Sequence, residues 1–190
     1  MNESEMEQLK REVRQCTKCP LSASRTHAVP GEGPEDARVL FIGEAPGKNE
    51  DRQGRPFVGR AGAILDELLA SIGLARGDVY ITNIVKCRPP GNRDPAAGEI
   101  EACSGYLDRQ LDLIAPAVVV TLGRFAMQAM FRRSGVEAGS IGEERGTVHR
   151  VGDLALIPVY HPAAAIYDPN KKDVLLEDFR TLRSVIDGNA

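Results

Sequence analysis

Four short runs dense in aliphatic and β-branched residues punctuate the chain: ARVLFIG (37–43), DVYITNIV (78–85), AVVVTLG (117–123) and LALIPVYH (154–161). Their apolar positions are continuous rather than alternating, the pattern of strands buried on both faces of a parallel sheet. Between the first two the period changes. Ala61, Ile64, Leu65, Leu68, Leu69 and Ile72 recur at i, i+3, i+4, i+7, i+8 and i+11, an apolar stripe along one helix face that Gly73 is placed to stop. Helical patterns also cover 4–16, 95–114, 122–133 and 172–187. The stretch 134–150, SGVEAGSIGEERGTVHR, is rich in glycine and charge and reads as a surface loop. Strands alternating with helices predict an α/β fold, a three-layer α/β/α sandwich around a four-stranded parallel sheet with right-handed crossovers. Ligands then bind beyond the carboxyl ends of the strands. No repeat or linker interrupts the pattern, so one domain is expected over residues 1–190.

Composition narrows the classes. A chain of 190 residues suffices for one sizeable core. Its net charge of −3 provides no global basic field, so a nucleic-acid partner would have to be met by a local patch. The N-terminal MNESEMEQLKREVRQ lacks the apolar core of a signal peptide, and the longest apolar run, around APAVVVTLG, is too short to span a bilayer. A soluble, cytoplasmic protein with no membrane partner is expected. In such a reducing compartment Cys16, Cys19, Cys87 and Cys103 are either unrelated thiols or ligands of a metal. Cys103 fits the first description, since it shares the apolar face of EIEACSGYLDRQLDLI with Ile100, Leu107 and Leu111. CTKCP does not, because a CxxC sets two thiolates on one metal. The fifteen residues between Cys87 and Cys103 lack the second close pair usual in structural zinc sites, whereas an iron–sulfur cluster tolerates spread ligands. The spacing tilts towards the cluster and leaves zinc open.

The candidate chemistry gathers at strand ends. In FIGEAPGKNEDRQGRPFVGRAG (41–62) the glycines fit neither the Walker nor the dinucleotide spacing, so this loop is not a standard phosphate cradle. It offers Glu44 at the end of a strand, then Ala45, Pro46 and Gly47, where backbone can approach a ligand, and further on Glu50, Asp51 and a lone aromatic, Phe57. Taken singly, these are solvated acids and a core ring. Asn83 changes the balance, because an amide late in a buried strand is wasted unless it reads a ligand. Asn92 and Arg93 follow a proline-broken loop, and His161 ends the last strand before Pro162. His27 and His149 lie in apparent loops without such company.

GEAPG, GRPFVGRAG, TNIVKCRPPGNR and HPAAA, together with the four cysteines in their order and spacing, resemble the family-4 uracil-DNA glycosylases of the iron–sulfur type over nearly the whole chain. The resemblance implies a 4Fe-4S cluster on Cys16, Cys19, Cys87 and Cys103. It also implies a monofunctional, base-flipping hydrolase, expected as a monomer, that removes uracil from single- or double-stranded DNA. By the matching motifs His161 would donate to uracil O2, and Glu44 would orient water or stabilise the sugar cation. Phe57 would stack on the base, Asn83 would pair with its edge, and backbone at Gly43 and Ala45 would line the pocket, with Asn92 supporting the water or the sugar. Relatives outside this family carry Asp at the position of Ala45 and Tyr at that of Gly47. Glu44 is then expected to take over the first role, and Glu50 the steric exclusion of thymine. DNA contact is expected from Arg55, Arg60, Lys86, Arg88, Arg93, Lys171 and Lys172. Two rivals remain. A non-catalytic iron–sulfur module leaves Glu44, Asn83 and His161 without a task, and a relative that crosslinks to DNA carries a basic loop ending in histidine, which KCRPPGNRDP lacks.

Overall fold

The computed structural model describes residues 3–189. Five strands form one sheet: β1 (Val39–Gly43), β2 (Tyr80–Asn83), β3 (Val118–Leu122), β4 (His149–Val151) and β5 (Leu154–Val159). Their order is β2-β1-β3-β5-β4, with β2, β1, β3 and β5 parallel and β4 antiparallel to β5. The sheet is therefore mixed and five-stranded, not the four-stranded parallel sheet expected. The extra strand starts at the end of the stretch read as a loop and runs one residue past it. It is three residues long and only partly buried, so it shows no apolar run, and a two-residue turn at Gly152–Asp153 folds it back on β5. Gly152 has φ +59, the left-handed backbone that such hairpin turns demand.

Nine helices accompany the sheet among the described residues: α1 (Glu5–Gln15), α2 (Leu21–Ser24), α3 (Lys48–Gln53), α4 (Arg60–Ser71), α5 (Ala97–Ile114), α6 (Arg124–Ser134), α7 (Ile141–Glu144), α8 (Ala164–Tyr167) and α9 (Asn170–Ile186). The strands feed two cores by strict alternation. Leu40, Ile42, Tyr80, Val119 and Leu156 pack with the apolar stripes of α1, α5 and α6, whereas Phe41, Ile81, Val120 and Ile157 pack with those of α4 and α9. Burial on both faces is why the strands read as unbroken apolar runs. No helix among the described residues is long and apolar enough to cross a membrane.

This arrangement places the chemistry. Gly43 and Asn83, the last residues of β1 and β2, are register partners, and Leu122 of β3 pairs with Val159, the last residue of β5. Beyond β1 the pairing continues for a step, with the Ile84 N–H donating to the Gly43 carbonyl and the Val85 N–H to that of Glu44, both at 3.0 Å. Glu44 is thus anchored through its backbone at the sheet's carboxyl edge.

Candidate active site

The ends of β1, β2 and β5 open on a cleft of about 390 Å³ lined by Glu44, Ala45, Gly47, Glu50, Phe57, Asn83, Asn92 and His161, with Tyr167 at its side. Gly43 lies just beneath. A Cβ there would fall 2.3 Å from Asn83 Oδ1 and 2.7 Å from the Phe57 ring, so only glycine lets the amide and the ring meet over the strand end.

Asn83 is 2% exposed, and its Oδ1 has no hydrogen-bond partner. A buried acceptor left unpaired costs about 1–3 kcal/mol, which a ligand donor entering the cleft would return. His161 presents the opposite polarity. Its Nδ1 accepts the Ala163 N–H at 3.1 Å, which leaves the ring proton on Nε2 as a donor. Burial pushes its pKa down to about 4, against a weaker opposing pull from the Glu50 carboxylate, so the ring is neutral at pH 7. The Phe57 ring lies 5.6 Å from it, centroid to centroid, and is inclined by 27°.

The three acidic side chains of the 41–62 segment part company. Glu44 is half-buried, and burial, reinforced by the charge of Asp94 and offset by Arg124, raises its pKa, making it a stronger base than a surface carboxylate. Glu50 binds backbone instead. Its Oε2 accepts the Gly47 N–H at 3.1 Å, and its Oε1 accepts those of Val58 and Gly59 at 2.8 and 2.9 Å, tying the start of α3 to the entry of α4. Its Oε2 also occupies the space beside Gly47, 2.8 Å from where a Cβ would stand. Asp51 is buried and holds the 26–27 segment through the Thr26 N–H at 2.8 Å. Asn92 sits exposed at the cleft mouth with φ +57, its Oδ1 taken by Arg88 Nε at 2.6 Å.

Tyr167 escaped notice in the sequence. It is 85% exposed, the last residue of α8, and a lone aromatic there carries no sequence signal of its exposure. Lys86 is the reverse case. Expected among the DNA-facing cations, it is 1% exposed, with Nζ donating to Thr82 Oγ1, the Asn83 carbonyl and Gln110 Oε1 at 2.6–2.7 Å, and burial lowers its pKa to about 8. Arg55, Arg93 and Lys172 are engaged by Glu32, Glu99 and Glu67. Lys171 lies 4.0 Å over the Tyr160 ring. Arg60 stands exposed at the first turn of α4, next to the cleft residue Ala61. His27 and His149 do not line the cleft. His27 contacts the Asp51 carbonyl, and His149 lies edge-on to Phe131.

The expected 4Fe-4S cluster is not supported. Among the described residues no group of three or more His, Cys, Asp or Glu side chains is placed to hold a metal ion. All four cysteines do line one cavity, yet it measures about 10 Å³, the room of a single water. Cys87 and Cys103 are buried, and burial raises both thiol pKa values. Their sulfurs accept hydrogen bonds from Arg25 Nη1 at 3.1 Å and the Lys86 N–H at 3.3 Å. The cysteine order carried the iron–sulfur qualification in the sequence, and order alone does not set distances between thiols.

Residues 30–183 match the model of the uracil DNA glycosylase superfamily. The chain is 50% identical to the type-4 uracil-DNA glycosylase of Sulfurisphaera tokodaii, an alignment covering 95% of this chain and 84% of that protein. It is 48% identical to the type-4 enzyme of Archaeoglobus fulgidus, over 93% and 91% of the two chains. The chain belongs to the type-4 uracil-DNA glycosylases. The type-5 uracil-DNA glycosylase of Thermus thermophilus is more distant, 36% identical over 70% of this chain and 68% of that one. Membership in a glycosylase family makes the protein a hydrolase and removes the non-catalytic module as an alternative. It also matches the cleft, whose donor, acceptor and carboxylate are the groups that N-glycosidic hydrolysis needs.

Proposed function

We propose that the cleft is the uracil pocket of a monofunctional DNA glycosylase, in which a nucleotide turned out of the helix is read by Asn83, stacked by Phe57 and cleaved with the help of His161 and Glu44. The observation that carries this reading is the unpaired, buried Oδ1 of Asn83 facing the same cleft as a neutral His161 with a free Nε2–H. Uracil offers a donor at N3 and acceptors at O2 and O4. Asn83 accepts from N3–H and donates its amide to O4, whereas cytosine presents an acceptor and a donor at those positions and leaves both groups mismatched.

Hydrolysis breaks the bond between N1 and the sugar C1′, and the electron pair leaves with uracil. The negative charge spreads to O2, where the His161 Nε2–H is aimed to stabilise it, and a neutral imidazole serves because it needs only to donate. The sugar becomes cationic. Glu44 faces it, stabilises the charge and orients the water whose oxygen bonds to C1′, accepting or relaying the proton released. The result is free uracil and an abasic site. Glu50, filling the space beside Gly47, meets the position where thymine carries its methyl group. Gly43 and Ala45 contribute backbone to the floor, and Asn92 supports the sugar side of the mouth. Tyr167 is placed to touch the DNA next to the extruded nucleotide.

Arg60 and Lys171 are the candidates for phosphate contact. One continuous sheet with a core on each face supports a single domain, and the reading takes the protein as a monomer. Four free cysteines and a DNA substrate support a cytoplasmic location.

The test is incubation with otherwise identical oligonucleotides carrying uracil, cytosine or thymine, followed by hot alkali. Strand scission at uracil alone, and only after alkali, is the expected result. Scission before alkali would contradict the monofunctional assignment, and scission at cytosine would contradict the role of Asn83.

A further inference from the structure

Phe57 adopts φ +50, the left-handed region that a bulky aromatic residue enters only at a cost. Its ring lines the cleft, so whatever holds its backbone there also sets the position of the ring. Two features hold it. Gly62 leaves room for the Phe57 carbonyl, since a Cβ at residue 62 would lie 1.9 Å from that oxygen. The second is a guanidinium outside the cleft. Arg76 Nη1 donates to the Phe57 carbonyl at 2.9 Å, and Nη2 donates to that of Pro56 at 2.6 Å.

The same guanidinium bonds to two carboxylates, Asp66 of α4 at 3.2 Å and Glu32 at 2.7 Å. Glu32 is itself fixed to the sheet: its N–H donates to the Ile81 carbonyl at 3.0 Å, and its carbonyl accepts the Ile81 N–H at 2.8 Å. A continuous path of hydrogen bonds therefore runs from β2 through Glu32 and Arg76 to the backbone of the stacking residue. A planar fork with five donors can serve two carbonyls and two carboxylates together, and a lysine ammonium cannot.

We infer that Arg76 is a positioning residue for uracil recognition, holding Phe57 in its left-handed conformation so that the ring stays in register with His161 and the incoming base. The inference rests on the reading of Phe57 as the stacking wall. A double-mutant cycle on kcat/KM for uracil release, with the urea midpoint measured alongside, separates this role from general support of the fold. Arg76→Gln should lower kcat/KM by about tenfold or more, in the range expected when a pocket wall shifts, and Arg76→Lys should recover little of the loss. In a Phe57→Ala background the same Arg76→Gln change should alter kcat/KM by less than about twofold, while shifting the urea midpoint as much as it does in wild type. An equal loss in both backgrounds would overturn the inference and make Arg76 a merely structural residue. So would wild-type kcat/KM in Arg76→Gln. Wild-type kcat/KM in Phe57→Ala alone would instead remove the stacking role, and the inference with it. Should Arg76→Gln fail to fold, Glu32→Gln, which loosens the guanidinium from the sheet, should show the same dependence on Phe57, and equal losses in both backgrounds would again overturn the proposal.

Discussion

Asn83 and His161 present opposite hydrogen-bonding polarities to one cleft, and their consequences can be measured residue by residue. Replacing Asn83 by Asp removes the amide proposed to donate to O4 and should lower the uracil-to-cytosine ratio of kcat/KM by at least about tenfold, as expected when a site built for one donor–acceptor pattern loses it. Parallel single-turnover assays on the two substrates read this ratio. The pH behaviour follows from burial. His161 titrates near 4 in the folded protein and near 6.5 when unfolded, so between those values only the unfolded chain takes up the proton. Its contribution to stability is complete above pH 6.5 and is lost as pH falls towards 4. Because the ring stays neutral across that window, the acid limb of the single-turnover rate should follow Glu44, whose pKa is raised by burial, and Glu44→Gln should flatten the limb at a much reduced rate. A limb that persists unchanged in Glu44→Gln would assign it to another group.

At the level of elements, Glu50 couples α3 to α4 and also fills the space that Gly47 leaves open. Glu50→Ala should admit thymine and give measurable release from a thymine-containing oligonucleotide. Glu50→Gln, which keeps the volume, should stay closed to thymine although it weakens the backbone clamp. Thymine release by both variants, or by neither, would place the steric block elsewhere. The long elements were legible because burial on both faces writes continuous apolar runs for β1, β2, β3 and β5, and one-sided burial writes the 3.6-residue stripe of α4. The short ones were not. β4 is a partly buried edge strand of three residues whose only mark is the Gly152–Asp153 turn, and α3 is six residues of polar sequence inside a loop. Side-chain fate was less legible still. Lys86 reads as one more surface cation, and its burial depends on Gln110, which reaches it from α5, twenty-four residues further along the chain. The cysteines show the same gap between order and geometry. Their sequence spacing tilted towards a cluster, whereas the fold leaves them around a cavity of about 10 Å³.

For the whole molecule the question is how a chain of net charge −3 holds a polyanion. Several cations near the cleft are already neutralised, Arg55 by Glu32, Arg93 by Glu99 and Lys172 by Glu67, which leaves few for phosphates. Binding to duplex DNA should accordingly show a shallow salt dependence. A log–log slope of about −2 to −3.5, corresponding to roughly two to four phosphates, is expected from fluorescence anisotropy between low and moderate salt. A slope several-fold steeper would reveal a basic surface that the fold does not display. The polarity of the cleft, rather than global charge, then has to supply selectivity, and its residues were legible as a group because Asn83 ends a strand and Glu44 and His161 follow one within two residues.

The most direct test of that account is the single-turnover rate of uracil release at neutral pH for the wild type, His161→Ala and Glu44→Ala, with DNA affinity measured on the same samples. Each substitution should slow release by at least about a hundredfold, the range for removing a preorganised electrostatic group, while the affinity stays nearly unchanged. Wild-type rates in both variants would contradict the account.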